Sequence, residues 1–121
     1  MMKLLNPKSL SCLLIGLGFI SGVALAQVPH RAVATVVEQG KEFIPGGILI
    51  SQGTTVTFRN DDEFLHQIFS TEPKLRFDTK ERKPGETIDI LFTEAGIYQV
   101  RCHIHPKMLL EVTVIENEGP A

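Results

Sequence analysis

The 121-residue sequence has few cysteines, a small net charge and no apolar run long enough for a membrane-spanning helix. Its longest apolar stretch, Leu10 to Val23, is short of the roughly 20 residues that cross a bilayer. Two lysines precede this stretch and Ala24-Leu25-Ala26 follows it, an order typical of a secretory signal peptide with its cleavage site. We therefore expect residues 1–26 to be a cleaved signal peptide and residues 27–121 to form one exported domain. A retained membrane anchor is the alternative.

The chain has little excess charge of either sign. It contains 12 Lys and Arg against 14 Asp and Glu, which gives a net charge of −2 with neutral histidine. Cleavage after residue 26 would remove Lys3 and Lys8 but no acidic residue, so the domain would carry about −4. A mildly acidic domain argues against nucleic acid as a partner. We expect a monomer in the periplasm, with no membrane contact after signal cleavage.

Cysteine is also scarce, because the chain contains only Cys12, inside the predicted signal peptide, and Cys102. The exported domain would keep Cys102 alone, which excludes a disulfide within the domain. A free thiol in an oxidising compartment is open to oxidation unless it is buried or ligated. Cys102 is therefore either an inert core residue or a metal ligand, and its neighbours favour the second interpretation.

Short apolar runs separated by Gly and Pro turns fill the exported part of the chain. Residues 97–102 and 110–114 alternate between apolar and polar side chains, which predicts strands with one buried face. Several such strands in a chain of this size predict an all-β Greek-key sandwich or barrel of about seven to eight strands. The stretch from Thr71 to Arg82 has no clear period, and we expect a long loop there or a short helix.

Three side chains that bind metals lie close together near the end of the chain. Cys102, His105 and Met108 form a Cys-x-x-His-x-x-Met motif between two predicted strands. A blue-copper site uses one Cys, two His and a weak axial Met. The missing histidine should come from another strand, and His66, which begins a predicted strand after a polar turn, is the candidate. His30 lies too near the new N-terminus to be chosen.

Two histidines follow the cysteine, and strand geometry separates them. Successive residues of a strand face opposite sides, so an inward Cys102 places His103 outward. Pro106 cannot continue a central strand and favours an extended conformation for His105. A short loop leaving Cys102 can then return His105 and Met108 to the same ion. We therefore expect His105 to be the ligand and His103 to face solvent.

At these residues the sequence resembles the cupredoxins, which are small blue-copper electron carriers, and most of all their amicyanin and plastocyanin-like members. The similarity covers roughly residues 44–115. It includes the strand and turn 56–62 before Leu65-His66, the strand 96–102 that enters the cysteine, and the His-Pro pair in a short ligand loop. The resemblance implies that the copper ligands are His66, Cys102, His105 and Met108.

The sequence departs from the family pattern beside these residues. Leu65 and Gln67 flank the first histidine where the family often has Pro and Asn, and His103 follows the cysteine where an uncharged, non-binding residue is usual. Leu109 stands where Gly is common. The family's Asn usually ties the two ligand loops together by hydrogen bonds, and we expect Gln67 to do this less well.

The resemblance implies a protein that carries single electrons on one copper ion, which cycles between Cu(I) and Cu(II). Leu65, Ile104 and Pro106 would form an apolar rim where redox partner proteins make small, transient contacts. There are two alternatives. A copper carrier or storage protein without a redox partner would use the same ligands. A structural or catalytic zinc site would use His66, Cys102 and His105, with His103 as a candidate fourth ligand and little use for Met108. We do not expect an enzyme, since outside the metal cluster the sequence shows no paired carboxylates and no nucleophile with a base.

Overall fold

The computed structural model describes residues 16, 18–19, 22–24 and 32–119. Most of the predicted signal peptide, residues 1–26, lies outside the described residues, as does His30. Signal cleavage and the domain boundary at residue 27 therefore stay predictions. The described part of the chain contains no helix with the length and hydropathy of a transmembrane segment.

Residues 32–119 form nine β-strands and no helix. The strands are β1 (Val33–Gln39), β2 (Glu42–Ile44), β3 (Gly47–Ser51), β4 (Thr54–Asn60), β5 (Ile68–Glu72), β6 (Leu75–Asp78), β7 (Thr87–Phe92), β8 (Gly96–Cys102) and β9 (Leu109–Ile115). They make two sheets, one of four strands in the order β2-β1-β4-β7 and one of five in the order β3-β9-β8-β5-β6. The predicted all-β sandwich is confirmed, with nine strands where about seven to eight were expected.

The prediction of a loop or a helix between Thr71 and Arg82 is wrong, because much of this stretch belongs to a β-hairpin. Strands β5 and β6 pair antiparallel from Phe69 opposite Asp78 to Glu72 opposite Leu75. Strand β6 is a short strand at the edge of the larger sheet, and its inward side chains are only half-buried. A strand of this kind shows too few alternations for a period to stand out in the sequence.

The two sheets pack through the alternate side chains that the sequence pattern predicts. In β8 the side chains of Tyr98, Val100 and Cys102 are buried while those between them are exposed. The same alternation holds through β4 and β9. Phe92 of the smaller sheet packs against Tyr98 of the larger one, with ring centroids 6.2 Å apart. Burial of these apolar faces is the main favourable term in folding.

The topology brings two connections to the same end of the larger sheet. Strand β5 pairs antiparallel with β8, and Ile68 at the start of β5 lies opposite Cys102 at the end of β8. The segment 61–67, which leads into β5, therefore lies beside the segment 103–108, which leaves β8. All four predicted ligands lie in these two segments or at the end of β8.

A buried ion pair ties the first of these segments to the smaller sheet. The guanidinium of Arg82, which is 5% exposed, bonds to the carboxylate of Glu38 in β1, which is fully buried. The backbone of Arg82 pairs with His66, donating to its carbonyl at 2.8 Å and accepting from its N–H at 3.1 Å. The pair therefore anchors the chain that carries His66.

Replacement of Arg82 by methionine tests this anchor. Arg82→Met leaves the Glu38 carboxylate buried without its partner, and we expect the free energy of unfolding to fall by about 3–5 kcal/mol. Urea denaturation of the metal-free protein measures this change. The exposed neighbour Lys83 supplies the control, since Lys83→Met should stay within about 0.5 kcal/mol of wild type. Equal stability of the two variants would show that the ion pair does not anchor the segment.

Candidate metal centre

Cys102 faces the interior at the point where β8 ends. Its side chain is 2% exposed and lies on the same face as Tyr98 and Val100. It is the free cysteine of the described residues. The alternation of β8 therefore places the thiol as predicted, between the sheets and next to the start of β5.

His66 approaches the thiol from the neighbouring segment. Its two backbone hydrogen bonds to Arg82 form an isolated bridge just before β5, and its side chain is fully buried. Its Nδ1 lies 3.7 Å from the Sγ of Cys102. The bridge fixes the backbone at His66, and the structure places this histidine beside the cysteine, as predicted.

His105 and Met108 lie in the loop that follows β8. The chain turns at Pro106 and Lys107, and the backbone N–H of Met108 donates to the carbonyl of His105 at 3.0 Å. The turn directs His105 back toward the cysteine, where its Nδ1 lies 3.8 Å from Sγ. The Met108 side chain is 1% exposed at the same end of the core.

The three donor atoms form a small triangle. The Nδ1 atoms of His66 and His105 are 3.2 Å apart, and each lies 3.7–3.8 Å from the thiol sulfur of Cys102. For a triangle with these sides, the point equidistant from all three atoms lies about 2.1 Å from each, close to typical metal–nitrogen distances of ~2.0–2.1 Å. The described residues contain one such cluster of possible metal ligands. The donor set therefore fits a single copper ion, with Met108 as the candidate weak fourth ligand.

His103 faces away from this triangle, as strand alternation predicts. Its ring stacks on Phe69 with centroids 3.8 Å apart and planes 12° from parallel. Its Nε2 lies 3.1 Å from a carboxylate oxygen of Asp78, with both side chains largely exposed. The sequence did not reveal these partners, because Asp78 lies in the stretch that was expected to be a loop or a helix, and only the pairing of β5 with β6 places it opposite Phe69.

Gln67 links the two ligand segments through its backbone. Its carbonyl accepts a hydrogen bond from the N–H of His103 at 2.8 Å, which joins the segment of His66 to the segment of His105. Its side-chain amide instead donates to Asp78 at 3.1 Å. The main chain of Gln67 therefore links the two ligand segments, and its side chain bonds to strand β6 instead.

Asp62 contacts the site, although the sequence did not indicate it. Its Oδ2 lies 2.7 Å from the Nε2 of His66, the ring nitrogen that faces away from the cysteine. Burial alone would raise the pKa of Asp62, but hydrogen bonds from Lys41 N–H, His66 and Gly40 N–H outweigh it and lower the pKa. The only signal in the sequence was an aspartate four residues before a histidine, inside a run of acidic residues.

Phe64 and Lys41 lie beside His105, and neither was predicted from the sequence to be part of the site. The ring of Phe64 packs edge-on against His105 with centroids 6.0 Å apart, and the ammonium of Lys41 lies 4.7 Å above the Phe64 ring. The His105 side chain is half-buried. Burial, then His66 and Lys41, lower the pKa of His105, which favours its neutral imidazole. A neutral imidazole is the form that binds a metal.

The fold and the cluster together define a β-sandwich with a buried two-histidine, one-cysteine centre, and comparison with known proteins agrees. A sequence model of copper binding proteins of the plastocyanin/azurin family matches residues 30–116. The plastocyanin of Fritillaria agrestis is 28% identical over 107 residues, which cover 75% of this chain and 64% of that protein.

Solved structures show the same similarity. A reduced variant of amicyanin superposes with a TM-score of 0.65 and 26% identity, over 74% of this chain and 88% of that one. A copper-containing nitrite reductase from Thermus scotoductus SA-01 gives a TM-score of 0.65 and 32% identity, over 70% of this chain but 23% of the reductase. The chain belongs to the plastocyanin/azurin family of copper-binding proteins. This membership decides for copper and against the zinc alternative.

The lowered pKa of His105 predicts how the metal-free protein responds to acid. Because folded His105 binds a proton less readily than an unfolded histidine, stability should fall as the pH drops below about 6.5, the usual pKa of histidine. His105→Asn should remove part of this fall. Urea denaturation of the metal-free wild type and variant at several pH values measures the difference. The same loss of stability in both proteins would contradict the prediction.

Proposed function

We propose that the protein is an electron carrier that holds one copper ion with His66, Cys102, His105 and Met108. A copper ion in such a site supplies one-electron chemistry by alternating between Cu(I) and Cu(II). The observation that carries the proposal is the triangle of donor atoms, whose sides of 3.2–3.8 Å enclose space for one ion. Membership in a copper-binding family supports the choice of ion.

The way the ligands are held suits a carrier that changes oxidation state. Cys102 is held by its pairing with Ile68 of β5, and His66 by its backbone bridge to Arg82 and by Asp62 at its Nε2, so protein contacts hold both donors in place. The turn at Pro106 fixes His105 by the hydrogen bond from Met108 N–H to its carbonyl. A frame that holds the donors still leaves little to rearrange when an electron arrives or leaves.

An apolar rim surrounds the half-buried His105 and supports a docking role. Phe64 is 46% exposed, Leu65 39% and Ile104 40%, and Pro106 is also exposed. Leu65, Ile104 and Pro106 were expected from the sequence, and Phe64 completes the rim by packing on His105. We propose that redox partner proteins bind here through small, transient contacts, because electron-transfer encounters lie at the low end of interface size.

The proposal also covers the cellular location and the oligomeric state of the protein. Residues 1–26 have the composition of a signal peptide, so we propose an exported, periplasmic monomer that is free of the membrane after cleavage. We also propose that the protein is not an enzyme. This chain spans only 23% of the nitrite reductase that it resembles, so the likeness covers one part of that protein.

The visible spectrum tests the ligand assignment. Copper-loaded wild type should show an intense thiolate-to-copper band, and Cys102→Ser should abolish it because the thiolate is lost. His103→Ala is the matched control, since His103 faces away from the triangle, and its spectrum should stay nearly unchanged. Colour that survives in Cys102→Ser, or loss of copper in His103→Ala, would contradict the assignment. A colourless or labile wild-type complex would favour copper carriage or storage over electron transfer.

The rate of electron exchange tests the docking rim. Ile104→Asp places a charge in the apolar rim, and we expect electron self-exchange, measured by NMR line broadening, to slow about tenfold, or by about 1.4 kcal/mol. The optical spectrum should not change. Ile97→Asp is the control, because Ile97 is 64% exposed near the opposite end of β8. At about 3.3 Å per residue it lies roughly 17 Å from Cys102. Equal slowing in both variants would show that the rim has no special role.

A further inference from the structure

One buried carboxylate contacts both the candidate copper site and a distant turn. Asp62 lies in the segment after β4 and is 8% exposed. Its Oδ2 faces the Nε2 of His66 at 2.7 Å, and its own backbone N–H donates to the Oδ1 of Asn60 at 2.9 Å. Because an ionised carboxylate only accepts hydrogen bonds, Nε2 must carry the imidazole proton. In the neutral imidazole, which carries a single N–H, Nδ1 is then the acceptor nitrogen, and it faces Cys102 and His105.

The other contacts of this carboxylate come from the turn between β1 and β2. The N–H of Gly40 donates to Oδ1 at 2.6 Å, and the N–H of Lys41 donates to Oδ2 at 3.0 Å. Gly40 has a φ of 64° and Lys41 a φ of 58°. Two consecutive residues with positive φ are typical of a tight hairpin turn, but this conformation is disfavoured for lysine. The two hydrogen bonds to Asp62 stabilise the turn in this conformation.

The same turn forms one wall of an open cavity beside His105. The cavity has a volume of about 450 Å³ and is lined by residues 40–42 on one side and 104–107 on the other. The turn thus contacts solvent on its outer side and the Asp62 carboxylate on its inner side. Oδ2 is shared between Lys41 N–H and His66 Nε2–H, so a weaker bond to one donor strengthens the bond to the other.

We propose that Asp62 is a positioning residue that orients His66 toward copper and couples the copper site to contacts made on the β1–β2 turn. The proposal rests on the proposed function, in which His66 is a ligand. A carboxylate that accepts from the outer nitrogen fixes the ring and makes the imidazole a stronger ligand. Its negative charge also favours Cu(II) over Cu(I). A partner protein that binds the turn would change the hydrogen bonds from the turn amides to Asp62. The hydrogen bond between Asp62 and His66 would then change in strength, and the reduction potential of the copper would shift.

The orienting role is tested in the metal-free protein and in the copper protein. ¹⁵N NMR of metal-free wild type should show His66 protonated at Nε2, whereas Asp62→Ala should give a mixture of tautomers. Asp62→Asn keeps an oxygen acceptor and should restore the Nε2–H form. In the copper protein, Asp62→Asn should raise the reduction potential by about 59 mV, equal to a tenfold change in relative affinity for the two oxidation states. An unchanged tautomer in Asp62→Ala, or an unchanged potential in Asp62→Asn, would overturn this role.

The coupling is tested by disturbing the turn alone. Gly40→Val places a branched side chain at positive φ and should displace the Gly40 and Lys41 amides from Asp62. We then expect the reduction potential of the copper protein to shift. Gly53→Val is the matched control. Gly53 has a φ of 83° and, like Gly40, has no atom within 4 Å of an added Cβ. It lies in the turn before β4, roughly 23 Å from Asn60 at the other end of that strand. An equal shift in both variants, or no shift in Gly40→Val, would overturn the coupling.

A separate measurement, the visible spectrum of His66→Ala, tests the proposed function on which this inference rests. If His66→Ala kept the full visible spectrum of wild type, His66 would not be a copper ligand and the copper assignment would be wrong. The tautomer measurement on the metal-free protein does not depend on that assignment. It would still decide whether Asp62 orients the His66 ring.

Discussion

The pairing of β5 with β8 is the contact on which the metal centre depends. His66 and Cys102 are 36 residues apart in sequence, and only this pairing places them 3.7 Å apart in space. The hydrogen bond from His103 N–H to the Gln67 carbonyl extends this strand pairing by one residue into the ligand segments. A slip of one residue would turn Cys102 to the opposite face. The apolar partners of the cysteine on β8, which must stay inside, therefore also fix the register of the site.

The parts of the site that the sequence predicted are those set by local geometry. The alternation of β8 turns Cys102 inward and His103 outward, and Pro106 begins the turn that returns His105. The choice of His66 came from the chemistry of the missing ligand, and the structure brings its Nδ1 to the other donors. The sandwich followed in the same way, from strands whose burial alternates strongly.

The parts that were missed depend on contacts between residues distant in sequence. Strand β6 has too few and too exposed side chains to show a period, so the stretch from Thr71 to Arg82 was expected to be a loop or a helix. Asp62 lies in a run of acidic residues, and nothing local distinguishes the one that turns inward to His66. Lys41 and Phe64 meet near His105 only because the β1–β2 turn folds over that end of the sandwich.

Strand β9 lies inside the larger sheet, between β3 and β8, although it is the last strand of the chain. It pairs in parallel with β3 and antiparallel with β8, so neither neighbour is complete without it. His105 and Met108 lie on the loop that this strand holds in place. During synthesis the candidate copper ligands therefore cannot assemble until nearly all of the described chain has emerged. A chain that is cut short before β9 would lose its metal centre together with its fold, so metal content would report whether β9 is present and paired.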